Sequence, residues 1–287
     1  MAHRMTELAN ISDTARWVAM YRAMESEKRD ALFRDPYAAR LAGARGAEIL
    51  EAMPKGKQFG WPMIVRTALF DEIVMRHAGE VDTVLNLAAG LDARPYRLAL
   101  PPTLKWIDVD LPGMIDYKRG VLATEKPRCD VEFVAVDLAD REARRALFAR
   151  VGASAKRVLV ATEGLLVYLT REQVGELAAD LHAQPSFQFW LIDIVAPFIL
   201  QMMQKTWGKQ LDAAAAPFRF APEEGPAFYA PFGWRTVDAR NTFVEAQRLR
   251  RLPRSAILWR IMGLFTPKKV REQQMRGLSG VVLMERT

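Results

Sequence analysis

Residues 81–92 have the sequence Val-Asp-Thr-Val-Leu-Asn-Leu-Ala-Ala-Gly-Leu-Asp, in which an apolar run ends in a group of small residues. A short apolar run bounded by a glycine-containing turn predicts a buried β-strand over residues 81–87 and a turn over residues 88–90. This strand is the reference from which the other elements are predicted.

Strand-like and helix-like patterns alternate beyond the first strand. Four more strands are predicted over residues 104–110, 131–136, 157–162 and 187–195. Thr170 and Gln173 form a capping box ahead of a helix with one apolar face. This alternation predicts an α/β fold with a doubly wound, mostly parallel sheet that has helices on both faces. Two last strands, over residues 233–238 and 280–284, bring the total to seven and could form an antiparallel edge.

The composition is that of a globular protein, because 50% of the 287 residues are hydrophobic and 26% are charged. The single cysteine, Cys129, excludes a disulfide within the chain and a cysteine metal cluster. The three histidines, His3, His77 and His182, lie far apart in sequence, so we expect no metal site and no Ser-His-Asp hydrolase. We expect a cytoplasmic protein, because we find neither an apolar signal segment nor an apolar run of membrane-spanning length.

The net charge of +7 is concentrated near the carboxyl terminus. Residues 248–276 contain nine basic residues and one acid and so carry +8, which leaves −1 for the rest of the chain. Local basicity of this kind argues against a nucleic-acid-binding protein. The basic, aromatic run over residues 254–265 could contact an anionic membrane surface, but the favoured interpretation is a helix that packs on the sheet with its arginines in solvent.

Acidic residues stand at the carboxyl ends of the predicted strands, where ligands bind in open parallel sheets. Gly90 ends the first strand, Asp110 follows it by twenty residues, and Asp137 and Glu163 end the third and fourth strands. An acid at this distance from the glycine turn commonly accepts hydrogen bonds from ribose hydroxyls. The turn has a single glycine and carries Asp92, which disfavours the pyrophosphate of NAD or FAD. S-adenosylmethionine, with its sulfonium, ammonium and ribose, fits better, although the acids could also serve only as helix caps.

Seven motifs, in order along residues 12–195, resemble those of one enzyme family. They are residues 14–25, 32–38, 65–67, 89–98, 108–112, 136–138 and 163–169. The chain resembles the leucine carboxyl methyltransferase-like family, in its bacterial S-adenosylmethionine-dependent O-methyltransferase branch. The resemblance implies a class I methyltransferase fold, which is Rossmann-like. Two positions depart from the family pattern, since Ala88 replaces a glycine and Ala93 replaces a threonine.

The resemblance also implies a role in cofactor binding for each matched position. Arg66 would pair with the cofactor carboxylate, with Thr14 as a second candidate, and Glu163 would lie near the methionine ammonium. Gly90 would contact the methionine part of the cofactor, and Asp110 would contact the ribose hydroxyls. Asp137 and Leu138 would contact the adenine.

The resemblance further implies one domain over residues 1–287. We expect a helical N-terminal cap over residues 1–78, a cofactor-binding core over 79–195, a lid insertion over 196–230, and the last strands with the basic helix over 231–287. The oligomeric state is not predicted.

The expected activity is S-adenosylmethionine-dependent O-methylation of a small molecule at a carboxylate or a phenol, possible acceptors including polyketide-like compounds. Tyr168 and Asp193 are the candidate catalytic residues, and the aromatic residues Trp207, Phe218 and Phe228 are candidates for the acceptor pocket. Two other readings stay open: a methyltransferase for a protein C-terminal carboxylate, and a non-catalytic protein that binds S-adenosylmethionine. A nicotinamide-dependent oxidoreductase is disfavoured by the single glycine and Asp92.

Overall fold

A single seven-stranded sheet organises the computed structural model, which describes residues 11–253 and 279–287. The order of the strands across the sheet is β3-β2-β1-β4-β5-β7-β6. The five strands from β1 to β5 pair in parallel, whereas β7 is antiparallel to both β5 and β6. In chain order the strands are β1 Thr83–Leu87, β2 Lys105–Asp110, β3 Asp130–Ala135, β4 Val158–Thr162, β5 Phe187–Ile194, β6 Trp234–Asn241 and β7 Gly280–Arg286.

Helices connect the strands and precede the first of them. The α-helices are α1 Ile11–Ser26, α2 Ala38–Ala52 with a break at Gly43, α3 Trp61–His77, α4 Arg94–Arg97, α5 Pro112–Val121, α6 Arg141–Ser154, α7 Arg171–His182, α8 Pro197–Ala213 and α9 Thr242–Arg248. Short 3-10 helices cover Gly56–Phe59, Leu166–Tyr168 and Gly225–Phe232.

Apolar side chains fill both faces of the sheet. On one face, α6 and α7 pack Phe148 and Leu181 against the buried strand residues of β4 and β5. On the other face, α3 packs Leu69 and Ile73 against a second group of strand residues. A third cluster joins α1 to α8 through Trp17 and Leu211.

The predicted doubly wound, mostly parallel fold is confirmed. Thr170 and Gln173 form the predicted capping box at the start of α7. The two last strands do form an antiparallel edge, with β6 outermost and β7 between it and β5. The predicted basic helix falls within residues 254–278, outside the described residues.

Neither a membrane-spanning helix nor a metal site emerges from the described ranges. No helix there combines the length and the apolar character that crossing a bilayer requires. Within the same ranges, no three histidine, cysteine, aspartate or glutamate side chains are grouped so that they could hold a metal ion.

Candidate cofactor and acceptor site

A cavity of about 1430 Å³ lies between the carboxyl ends of the parallel strands and the helices α1, α3 and α8. The nine residues predicted to bind the cofactor or to take part in catalysis all line it: Thr14, Arg66, Gly90, Asp110, Asp137, Leu138, Glu163, Tyr168 and Asp193. They come from seven different parts of the chain, and the strand order brings them together.

The turn after β1 is held to the end of β2 by Asp110. Its Oδ2 accepts a hydrogen bond of 2.7 Å from the backbone N–H of Gly90, and its Oδ1 accepts one of 2.7 Å from the N–H of Leu111. Burial raises the pKa of Asp110 above its usual value, although these two N–H donors act in the opposite direction. Because each carboxylate oxygen has more than one acceptor position, both can still accept a ligand hydroxyl.

The same turn passes through the left-handed region of backbone conformation twice. Gly90 has φ of +47° and Ala88 has φ of +51°. A glycine adopts this conformation freely, but an alanine side chain is crowded by its own carbonyl, at a cost of about 1–2 kcal/mol. The alanine that stands at position 88 in place of the family's glycine therefore lowers the stability of the turn. The residue type alone does not show this, because the effect depends on the positive φ.

Arg66, on α3, bridges two carboxylates at the ends of neighbouring strands. Its Nε donates to Glu163 Oε1 and its Nη1 donates to Asp193 Oδ2, both at 3.0 Å. The other oxygen of Asp193 accepts a hydrogen bond of 2.7 Å from the backbone N–H of Gly164. Burial opposes the guanidinium charge, but Asp193 and Glu163 more than compensate and raise the pKa of Arg66. The side chain is therefore a permanent cation at this edge of the sheet.

Arg94 is a member of the site that the sequence interpretation did not identify. Its side chain is only 4% exposed, yet its Nη1 lies 2.8 Å from Asp92 Oδ2 and 2.7 Å from Glu163 Oε2. Its Nε donates to Asp71 Oδ1 at 2.7 Å. The signal available in the sequence was the position of an arginine two residues after the acid of the glycine turn.

Asp92 does not present an unpaired negative charge to a ligand. The prediction from the sequence that Asp92 disfavours a pyrophosphate did not take its partners in the protein into account. Its Oδ2 accepts hydrogen bonds from Asn86 at 3.1 Å and from Arg94 at 2.8 Å. Burial raises the pKa of Asp92, but nearby cations, Arg94 first among them, lower it well below its usual range. The carboxylate is thus ionised and paired within the protein.

Asp137 and Leu138 lie at the rim of the cavity, after β3. Asp137 is exposed, and its Oδ1 accepts a 2.9 Å hydrogen bond from the backbone N–H of Ala139. Arg144 donates to the carbonyl oxygen of Leu138 at 2.9 Å and fixes the loop. Asp137 therefore stabilises its own turn while remaining open to the cavity.

The two candidate catalytic residues are already engaged with other parts of the protein. The ring of Tyr168 lies 5.4 Å from that of Phe218, and its hydroxyl hydrogen-bonds the side chain of Thr14. Burial raises the pKa of Tyr168, so at neutral pH the hydroxyl is protonated and can donate a hydrogen bond. Asp193 uses one oxygen for Gly164 and the other for Arg66, which fits a positioning role better than that of a base.

The aromatic candidates divide between the cavity and the core. Trp207 lines the cavity, donates to the carbonyl oxygen of Pro54 at 2.9 Å and meets Trp17 edge-on at 5.3 Å. Phe218 also lines the cavity. Phe228 instead packs with Tyr229 in the core beneath β5, away from the cavity.

Comparisons with known proteins agree on one family. The family model described as leucine carboxyl methyltransferase matches residues 15–182. A protein of Mycobacterium tuberculosis, named as a candidate S-adenosyl-L-methionine-dependent methyltransferase, is 37% identical over 252 residues, which cover 82% of each chain.

Two solved structures share the fold. A DUF574 family protein from Streptomyces avermitilis superposes with a TM-score of 0.60 over 99% of this chain and 100% of its own, at 14% identity. A candidate methyltransferase from Thermobifida fusca gives 0.51 over 81% of this chain and 83% of its own, at 17% identity. From the family match and the sequence relatives, the chain belongs to the leucine carboxyl methyltransferase family and is an S-adenosylmethionine-dependent methyltransferase.

Proposed function

We propose that the protein methylates an oxygen atom of a small molecule, and that this oxygen is already acidic, as in a carboxylate or an acidic phenol. One observation carries the proposal: among the described residues that line the cavity there is no histidine, lysine or cysteine. The interior carboxylates Glu163 and Asp193 are bound to Arg66. An acceptor that ionises by itself needs no base from the protein.

The donor set of the cavity fits S-adenosylmethionine. In this proposal Asp110 accepts hydrogen bonds from the ribose hydroxyls, Arg66 binds the carboxylate, and Glu163 binds the ammonium. Asp137 and Leu138 contact the adenine, while Thr14 stands beside Tyr168 as a second donor near the carboxylate. When bound, S-adenosylmethionine supplies a methyl group already activated by its sulfonium. The protein's task is then to align the acceptor oxygen and to exclude water.

The part of the cavity below α8 suits an apolar acceptor. Met202, Met203 and Trp207 of α8 face it, and Trp17 of α1 and Phe218 complete the wall. A volume of about 1430 Å³ exceeds the roughly 300–1000 Å³ of a typical small-molecule site. The excess supports a second compartment, in which the acceptor lies beside the cofactor.

A protein C-terminal carboxylate is the second candidate acceptor. The matched family model is described as leucine carboxyl methyltransferase, and the proposed lack of a base suits any carboxylate. The covered, apolar wall under α8 favours a small acceptor over a protein surface.

The test is transfer of a labelled methyl group from S-adenosylmethionine to a panel of aromatic carboxylates, acidic phenols, neutral alcohols and peptides that end in leucine. Alkaline treatment of each product separates the classes, because a methyl ester releases methanol whereas a methyl ether does not. We expect label only in acceptors that are ionised at the assay pH. Preferred methylation of a neutral alcohol would contradict the proposal, and preferred methylation of the peptides would favour the second candidate.

A further inference from the structure

A buried chain of alternating charges connects the N-terminal helices to the carboxyl end of β4. Asp35 lies 3.9 Å from Arg97, and Arg97 is held to Asp71 by contacts of 2.6 and 2.7 Å. Asp71 binds Arg94 at 2.7 Å, and Arg94 binds Glu163 at 2.7 Å. Each of these five side chains is at most 15% exposed. Ion pairs removed from water in this way are screened little by solvent.

Glu163 is held by two arginines that approach from different elements. Its Oε1 accepts a hydrogen bond from the Nε of Arg66, and its Oε2 forms an ion pair with the Nη1 of Arg94. Asp92, in the turn after β1, is a second negative charge near Glu163. Asp193, at the end of β5, forms an ion pair with the same Arg66 side chain. Burial raises the pKa of Glu163, but Arg94 and then Arg66 oppose this effect, and the net pKa lies below its usual value.

We propose that Arg94 is a positioning residue for the cofactor, which acts by holding the Glu163 carboxylate ionised and oriented along the cavity wall, and which Asp71 in turn holds in place. Asp71 is not among the described residues that line the cavity. The inference rests on the proposed contact between Glu163 and the methionine ammonium, and it does not depend on the acceptor.

The geometry requires an arginine in this role. One nitrogen, Nη1, serves Asp92 and Glu163, while Nε serves Asp71 on the opposite side of the planar group. A lysine ammonium carries the same charge but cannot span these three carboxylates at once. Arg94→Lys therefore keeps the charge and removes the geometry, whereas Arg94→Gln removes both.

The experiment measures the dissociation constant of S-adenosylhomocysteine and of S-adenosylmethionine by calorimetry over a series of pH values from acidic to neutral. Thermal unfolding of each variant without ligand is recorded in parallel. The variants are Arg94→Lys, Arg94→Gln and Glu163→Gln. Asp71→Asn combined with Arg94→Gln removes one charge of each sign, so this pair is measured as well if Arg94→Gln does not fold. Glu72→Gln is the matched control, since Glu72 is the next residue of α3 and also holds two arginines, Arg240 and Arg248, but away from the cavity.

We expect Arg94→Lys to weaken S-adenosylmethionine binding about tenfold at neutral pH, the scale of one lost charged hydrogen bond. In Arg94→Gln and in the double variant, the loss of binding on the acidic side should move to higher pH. The sign follows because Glu163 without Arg94 takes up its proton closer to neutrality, and a neutral carboxyl binds an ammonium weakly. Glu72→Gln should leave both dissociation constants unchanged.

Two outcomes would overturn the inference, and they differ from each other. If Glu163→Gln weakens binding but no Arg94 variant changes the dissociation constant or its pH profile, Arg94 serves stability alone. If Glu163→Gln itself leaves binding unchanged, the proposed ammonium contact is wrong and the role of Arg94 fails with it. A lower unfolding temperature in the Arg94 variants, with the dissociation constants and their pH profile unchanged, is the same outcome as the first.

Discussion

Gly164 stands where Arg66 crosses the end of β4, and it offers a sharp test of the site geometry. Its φ is +71°, in the left-handed region. A Cβ atom placed there would lie 3.2 Å from Nη1 and 3.3 Å from Nη2 of Arg66. Gly164→Ala therefore imposes both a strained backbone and a contact that Arg66 must relieve by moving a few tenths of an ångström.

Two terms set the expected loss of stability in Gly164→Ala. The left-handed conformation costs an alanine about 1–2 kcal/mol. Alanine also lowers the conformational entropy of the unfolded chain, which restores about 0.4–1 kcal/mol of folding stability. The free energy of unfolding should thus fall by about 1 kcal/mol, which corresponds to a decrease of roughly 1.5–2 °C in the unfolding temperature of a chain of this size. Displacement of Arg66 from Glu163 and Asp193 should weaken cofactor binding about tenfold, or ~1.4 kcal/mol.

Gly120→Ala is the matched control for this variant. Gly120 lies on α5 with nothing within 4 Å of its ideal Cβ position, so alanine should stabilise the helix by about 0.5–1 kcal/mol. Thermal unfolding and calorimetric titration with S-adenosylhomocysteine measure both quantities in both variants. Equal stability changes in the two variants, or an unchanged dissociation constant in Gly164→Ala, would refute the reasoning about Arg66.

Three further predictions concern stability and the acceptor. Asp180→Asn should lower the free energy of unfolding by about 3 kcal/mol, because Arg144 and Arg145 lose their buried partner; urea unfolding measures this, and a change below 1 kcal/mol would contradict it. Ala88→Gly should raise the unfolding free energy by about 0.5 kcal/mol through relief of its positive φ, and a decrease in the same urea assay would argue against strain there. Met203→Ala should raise the KM for the acceptor while S-adenosylhomocysteine binds as in the wild type; a parallel loss of both affinities would place this residue in the cofactor site instead.

The sheet could be predicted from the sequence to within a few residues because its strands are short, apolar and separated by strong turn signals. The strand predicted over residues 157–162 is observed as Val158–Thr162, and that over 187–195 as Phe187–Ile194. The convergence of the strand-end acids follows from topology alone, since parallel strands present their carboxyl ends at one edge. The antiparallel order of the last two strands depends on long-range pairing, which the sequence pattern does not encode.

The charged partners of the site could not be predicted for a different reason. Asp71 and Arg94 are separated by 23 residues and belong to two different helices, α3 and α4, on which charged side chains usually face water. Their burial depends on how α3 packs across the sheet. Phe228 was predicted to line the acceptor pocket but lies in the core. Aromatic side chains are common in both places, so the residue type does not distinguish a core position from a pocket position.

The position of β7 has a consequence for how the protein assembles. This strand follows β6 in the chain but lies between β6 and β5 in the sheet, and residues 242–279 separate the two. Until residues 280–286 are in place, the outer side of β5 and the inner side of β6 both lack a hydrogen-bonding partner. Exposed strand edges of this kind pair readily with other chains. A substitution that weakens the pairing of β7 would therefore expose two strand edges at once. We expect its first effect to be aggregation during synthesis rather than loss of the active site.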